Sequence, residues 1–209
     1  MTEAERVLEV LIHDVRTPIG VAQGYVRLLR EERLETPEER DRAMVKTLDA
    51  LARISRLCDD ASGFLPSGHA LPLSTVPATV LVAGVENRIR ESGFVVDRSG
   101  VDPDAKLRLG TGTDRLGEAI GLVLSTVSPA GSGSSPRLRV VTGPAELQFT
   151  ATPNGDGPPE NAAVTPFNAW NARGLAVPAA VHAIVQVGGR VWRADRALAV
   201  AFPLETPRA

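Results

Sequence analysis

Two long amphipathic runs at the start of the chain, separated by a helix-restart signal, limit its fold more than any other feature. From about Thr2 to Arg33, apolar residues fall at Leu8, Leu11, Ile12, Val15, Ile19, Ala22, Val26 and Leu29. They recur three or four apart, the period of a helix with one buried face. After a short break comes Thr36-Pro37-Glu38-Glu39. Threonine can cap, proline is tolerated in the first turn, and Glu39 completes a capping box. The second helix is expected to reach about Ser62, burying Met44, Leu48, Leu51, Ile54, Leu57 and Ala61. Two long helices with a tight connection make an antiparallel hairpin, and helices of this length are not stable as a lone pair in water. Pairing two hairpins in a four-helix bundle would bury both stripes, which predicts a homodimer.

Gly63 to Pro72 (GFLPSGHALP) is rich in Gly and Pro and ends the helical pattern. This places a hairpin domain at 1–64, a linker at 65–72 and a second domain at 73–209. Within the second domain, strands are expected near Leu71–Val76, Phe94–Arg98, Lys106–Gly110, Arg137–Thr142, Glu146–Thr152, Gly189–Ala194 and Ala197–Pro203. Helices are expected near Ala78–Ser92, Thr113–Val127 and Leu175–Val187. Amphipathic helices and paired strands suit one helical layer on one mixed sheet, so the fold class is α+β.

Composition narrows the function. The chain has 209 residues, 43% of them hydrophobic, and a net charge of −2. Nothing in this balance directs it to nucleic acid or an acidic membrane. Arginine far outnumbers lysine (Lys46 and Lys106 are the only lysines) but builds no basic stripe. Cys58 is alone, so no intramolecular disulfide forms and a reducing cytoplasm fits. No run has the roughly 18 apolar residues of a membrane span, and no signal peptide opens the sequence. A soluble cytoplasmic protein is the expectation.

The chemistry is concentrated in Ile12–Gly20, IHDVRTPIG. His13, Arg16 or Thr17, Gly20, Gly24 and Arg27 share one helical stripe, opposite Val15, Ile19, Ala22 and Val26. His13 is therefore expected on the surface, where a neutral ring nitrogen can attack a phosphoryl group. Asp14 can orient the ring or take its proton, Thr17 can hold a water or a phosphoryl oxygen, and Arg16 can balance charge. Pro18 cannot donate to the Asp14 carbonyl, a cost of ~3 kcal/mol in a regular helix. Gly20 and Gly24 would admit a partner's helix, with Gln23 and Arg27 among the exposed docking positions. His69 and His182 have no comparable setting and read as structural or solvated.

The HDVRTP string resembles the H-box of two-component histidine kinases and of the dimeric histidine phosphotransferases that share their hairpin. That resemblance implies that His13 is the phosphoacceptor. Residues 71–204 likewise resemble the kinases' ATP-binding domain, the Bergerat fold, over nearly their whole length. In active kinases a helical NLLxNAxK string holds the magnesium of ATP. The stretch here, from Asp114 to Gly131, puts Leu122 and Thr126 where the asparagines are expected, and leucine cannot ligate a hard cation. The DxGxG box corresponds to PNGDGPPE. Gly155 and Gly157 match, Pro153 stands in the aspartate's place, and Asp156 is out of register. The GLGLAI box corresponds to GLAVPAAVHAIVQVGGRVW. Gly174, Leu175, Gly188 and Gly189 match, but Ala176 replaces the second glycine and Pro178 follows, crowding a phosphate cradle. About 14 residues between these boxes leave little room for an ATP lid.

These departures predict a histidine phosphotransferase of a phosphorelay, carrying phosphate between response-regulator aspartates through His13 without ATP. It would bind no cofactor itself, with Mg2+ supplied by the partner receiver domain. Response-regulator receivers are the expected partners, with a hybrid kinase as a further candidate. The architecture resembles the phosphotransferases of alphaproteobacterial cell-cycle control and of Bacillus sporulation. Two alternatives are an autokinase with a divergent ATP site and a pseudokinase that binds partners without carrying phosphate.

Overall fold

The computed structural model describes residues 2–64, 73–109, 113–127, 135–153, 162–163, 174–194 and 197–205. The expected linker and His69 lie outside them. The chain divides into two compact units: Met1–Leu65 with Arg173–Ala179, and Pro66–Ala172 with Ala180–Ala209.

The first unit is built on α1 (Glu3–Arg30) and α2 (Pro37–Ser62). Both helices start with a capping box. The Thr2 hydroxyl accepts from the Glu5 amide at 3.2 Å, and the Glu5 carboxylate accepts from the Thr2 amide at 2.7 Å. Thr36 and Glu39 repeat the arrangement, and Glu39 also accepts from the Glu35 amide at 3.0 Å. These amide bonds from Thr36 and Glu35 hold the Glu39 carboxyl below its ordinary range. Arg27 and Arg30 occupy the last turn of α1, where cations complement the helix dipole. α1 ends at Arg30, short of the expected Arg33, and Arg40 reaches back to the Leu34 carbonyl at 3.1 Å across the connection. Helix α1 runs on through Pro18, which is buried.

The expected apolar stripes exist, but the single chain does not bury them. Leu8, Ile12, Ile19 and Val26 on α1 are exposed, as are Met44, Leu48 and Leu51 on α2. The buried residues of the hairpin are Val7, Pro18, Ala22, Ala43, Ala50 and Leu57. Small side chains let two helices approach closely, so a narrow seam suffices to join them. The wider apolar face is left outside.

The second unit begins with β1 (Ser74–Pro77), α3 (Ala78–Ile89) and a 3-10 turn at Arg90–Ser92. Gly93 follows at φ +72°, a left-handed position that suits glycine. Then come β2 (Val95–Gly100), β3 (Lys106–Leu109), α4 (Thr113–Leu124), β4 (Arg137–Thr142), β5 (Glu146–Thr152) and β6 (Ala162–Ala163). Helix α5 (Ala176–Gln186), which begins in the first unit, leads to β7 (Arg190–Ala194) and β8 (Ala197–Pro203).

The expected single sheet is two. β1 and β3 form an antiparallel pair, and the other strands form a six-stranded sheet in the order β2-β4-β5-β8-β7-β6. Among the described strands, only β2 and β4 pair in parallel. A bridge from Leu107 to Leu204 ties β3 to the end of β8. Leu138, Val140, Leu147, Phe149, Val200 and Phe202 supply the inward-facing strand residues, and Leu81, Val85, Ile89, Leu116, Ile120 and Ile184 the helical ones. Gly117 lets α3 and α4 touch: a Cβ there would lie 2.9 Å from the Gly84 carbonyl carbon.

Candidate functional site

His13 lies about a third of the way along α1, with its side chain 83% exposed and that of Asp14 22% exposed. Its Nδ1 is 2.9 Å from Asp14 Oδ1. A carboxylate can only accept, so this bond assigns the proton to Nδ1 and leaves the Nε2 lone pair facing outward. The arrangement gives an exposed imidazole whose tautomer is set by its sequence neighbour. Arg16 and Thr17, three and four residues on, are exposed on the same side of the helix. Gly20, Gln23, Gly24 and Arg27 are exposed in the following turns. No heavy atom lies within 4 Å of a Cβ placed on Gly20 or Gly24. Arg27 is not wholly available for docking, because it pairs with Glu31 at 3.5 Å.

An open groove beside His13 brings in residues from α2 that the sequence motif does not include. Arg6, Asp14, Arg16 and Thr17 of α1 meet Arg53 and Asp60 of α2 along it. Burial pushes the Asp60 carboxyl above its ordinary value, with repulsion from Asp59 adding and attraction to Arg56 opposing. Arg53 and Asp60 lie some 40 residues from His13, so no local motif joins them. The antiparallel register could have found Arg53, since reflecting His13 through the 31–36 connection lands beside it.

In the second unit, the positions that carry nucleotide chemistry in the kinase pattern hold other side chains. Leu122 on α4 is half-buried and offers no oxygen. Thr126 lies beyond the end of α4 at Leu124, and its hydroxyl donates to the Val123 carbonyl at 2.7 Å. The sequence pattern carries α4 to Val127. The helix stops earlier because Ser125 and Thr126 turn their hydroxyls back onto carbonyls of Gly121 and Val123, and Pro129 lies just ahead. Pro153 is buried just after β5. Gly174 adopts φ +82°, Leu175 is buried, and Ala176 opens α5 with Pro178 in its first turn, where no amide donor is needed. Gly155, Asp156 and Gly157 lie outside the described residues, as does the segment expected to be a shortened lid. Among the described residues, no cluster of three or more His, Cys, Asp or Glu could hold a metal ion. No described helix is long and apolar enough to cross a membrane. His182 bonds Gln186 within α5 at 2.9 Å.

Residues 3–62, the hairpin, match the His Kinase A (phospho-acceptor) domain. The chain as a whole has the fold of histidine kinases. The histidine kinase AdeS of Acinetobacter baumannii aligns at 14% identity and a TM-score of 0.59, over 94% of this chain and 98% of that one. The histidine kinase ThkA, solved in complex with the response regulator TrrA, aligns at 15% identity and a TM-score of 0.60. That alignment covers 98% of this chain and 65% of ThkA. Full-length ShkA in complex with AMPPNP aligns at 18% identity and a TM-score of 0.53, over all of this chain and 47% of ShkA. The chain therefore spans under two thirds of the length of the ThkA and ShkA chains. No curated protein sequence matches it.

Proposed function

We propose that this protein is a homodimeric histidine phosphotransferase that receives a phosphoryl group from a receiver aspartate on His13 and returns it to another. The observation that carries the reading is the contrast between the two parts of the site. His13 is exposed with its tautomer set by Asp14. Leu122, Thr126 and Pro153 supply neither the magnesium ligands nor the adenine acceptor that ATP requires. These residues do not fit a magnesium nucleotide. ThkA engages a response regulator, and the same class of partner suits an exposed HisKA hairpin. Mg2+ would be held by the receiver's acidic site. The exposed apolar residues of α1 and α2 support the dimer, because large apolar side chains gathered on one element and left in water mark an interaction face.

In the transfer, the Nε2 lone pair forms the N–P bond while the P–O bond to the receiver's aspartyl carboxylate breaks. The carboxylate leaves with that electron pair. The Nδ1 proton stays on the ring, and its positive charge is balanced by Asp14.

The retained domain fold favours a second reading, an autokinase using a divergent nucleotide site. Purified protein should take no label from radiolabelled MgATP but should take it from receiver domains phosphorylated with acetyl phosphate. Label from ATP alone establishes the autokinase, and label from neither leaves a binding module. His13→Ala should abolish transfer and keep the dimer; transfer that persists moves the site elsewhere. In the same preparation, 1 mM MgATP should barely move the melting midpoint, whereas a 10 μM site would add about 2.7 kcal/mol.

A further inference from the structure

We infer that Arg53, reaching from α2, is the second cation of the phosphoryl site at His13, so that Arg16 and Arg53 hold the transferred group from the two helices of one hairpin. The inference rests on His13 being the phosphoacceptor, and it adds a residue that the H-box does not contain.

Arg16 and Arg53 both line the groove that also contains His13. Among the described residues, neither makes a hydrogen bond or an ion pair, whereas Arg27, Arg33, Arg98 and Arg190 are all paired with acids. Exposed arginines are often simply solvated, and exposure alone would say nothing. The charge arithmetic of the groove says more. Asp14 is committed to the His13 ring at 2.9 Å, and Glu9 and Asp60 line the same space. An arriving phosphoryl group brings about two further negative charges. Without nearby cations it would meet only like charge and two exposed polar groups, His13 and Thr17. Of the groove's two α1 arginines, Arg6 already has an interaction of its own, which leaves Arg16 to neutralise the group from one side. Arg53 supplies the other side, and a guanidinium can grip two phosphoryl oxygens at once. The raised carboxyl of Asp60 points the same way, since the groove already disfavours negative charge that is left unpaired.

Arg53 makes no bond and breaks none. It stabilises the dianionic phosphoryl group as the N–P bond forms and the donor's bond breaks.

Potassium phosphoramidate tests this without a partner or ATP, because its phosphoryl group passes to imidazole as the P–N bond breaks and ammonia leaves. The full chain would be treated with it, and phosphohistidine followed by 31P NMR. Arg53→Gln should slow phosphorylation about tenfold or more, as loss of one charge-assisted hydrogen bond implies. Arg53→Lys should recover part of the rate by restoring charge without the fork. The wild-type rate should fall with added salt, and the Arg53→Gln rate should fall less steeply. Circular dichroism and light scattering should match wild type for both variants.

A rate within about twofold of wild type for Arg53→Gln, with unchanged salt dependence, overturns the role of Arg53 and leaves His13 standing. Equal losses in Arg53→Gln and Arg53→Lys together with lost helicity would make Arg53 structural, and that also overturns it. Absence of phosphohistidine in the wild type, or its persistence in His13→Ala, removes the acceptor reading and this inference with it.

Discussion

The hairpin and the sheet domain divide fold and chemistry in opposite ways. The hairpin buries little and exposes much. Leu8, Ile12, Ile19, Val26, Met44, Leu48 and Leu51 all face outward in the single chain, alongside His13 and its polar neighbours. The sheet domain has its apolar residues inside, and its exposed large ones, such as Val80 and Val95, are scattered. Yet at the positions where the histidine-kinase sequence pattern holds nucleotide, it carries leucine, threonine and proline. A domain can keep the side chains that specify its core and exchange those that bind a ligand, because the two sets overlap little. The hairpin cannot separate them so cleanly. The helix that presents His13 is also the one with the unfinished apolar face.

The largest effect that would sharpen this contrast is expected in the sheet domain. Phe149→Ala should cost about 3–5 kcal/mol, since it empties a fully buried position on a central strand. Limited proteolysis should then cut the second domain while the hairpin persists. If both parts are lost together, the two units fold as one and the contrast weakens. Next in size, Leu48→Glu should weaken the dimer by about 3 kcal/mol, the sum of lost apolar burial and a desolvated carboxylate. Light scattering at micromolar concentration reads the change, and Val80→Glu serves as the control that should leave association intact. A Leu48→Glu dimer as tight as wild type would mean that another face pairs.

The smallest effect concerns the helix start. Thr36→Ala should cost about 1 kcal/mol of hairpin stability. Glu39 adds a pH dependence with a definite sign. Its folded carboxyl is held below the ordinary value, so its contribution is present above the unfolded value and is lost as pH falls through the folded one. Thermal melts of Glu39→Gln and wild type should therefore differ at pH 7 and converge in acid. A constant gap down to pH 2 would show that the carboxylate form is not what matters.

Much of the fold was legible in the sequence where the signal is local. The Thr36–Glu39 box marks the start of α2, and alternation or apolar runs locate β4, β5 and β8 at their observed ends. Non-local facts were not legible. Nothing in the β1 and β3 segments says that they pair with each other and leave the main sheet, and β6 is only Ala162–Ala163, with no pattern to read. Periodicity found the apolar stripes of the hairpin but could not say whether the covering surface comes from the same chain. At the site, His13 and Asp14 were legible because they are adjacent. Arg53 and Asp60 were not, because they arrive by antiparallel register.

The early end of α4 limits what single substitutions can place there. Leu122→Asn would place an amide on the helix in one substitution. Thr126→Asn would not, because that position lies in a turn past Leu124, with its hydroxyl already bound to Val123. A second magnesium-binding side chain would need the helix to lengthen first, against Ser125, Thr126 and Pro129 together. What that end of the helix can present is set by the turn that follows it as much as by any one residue.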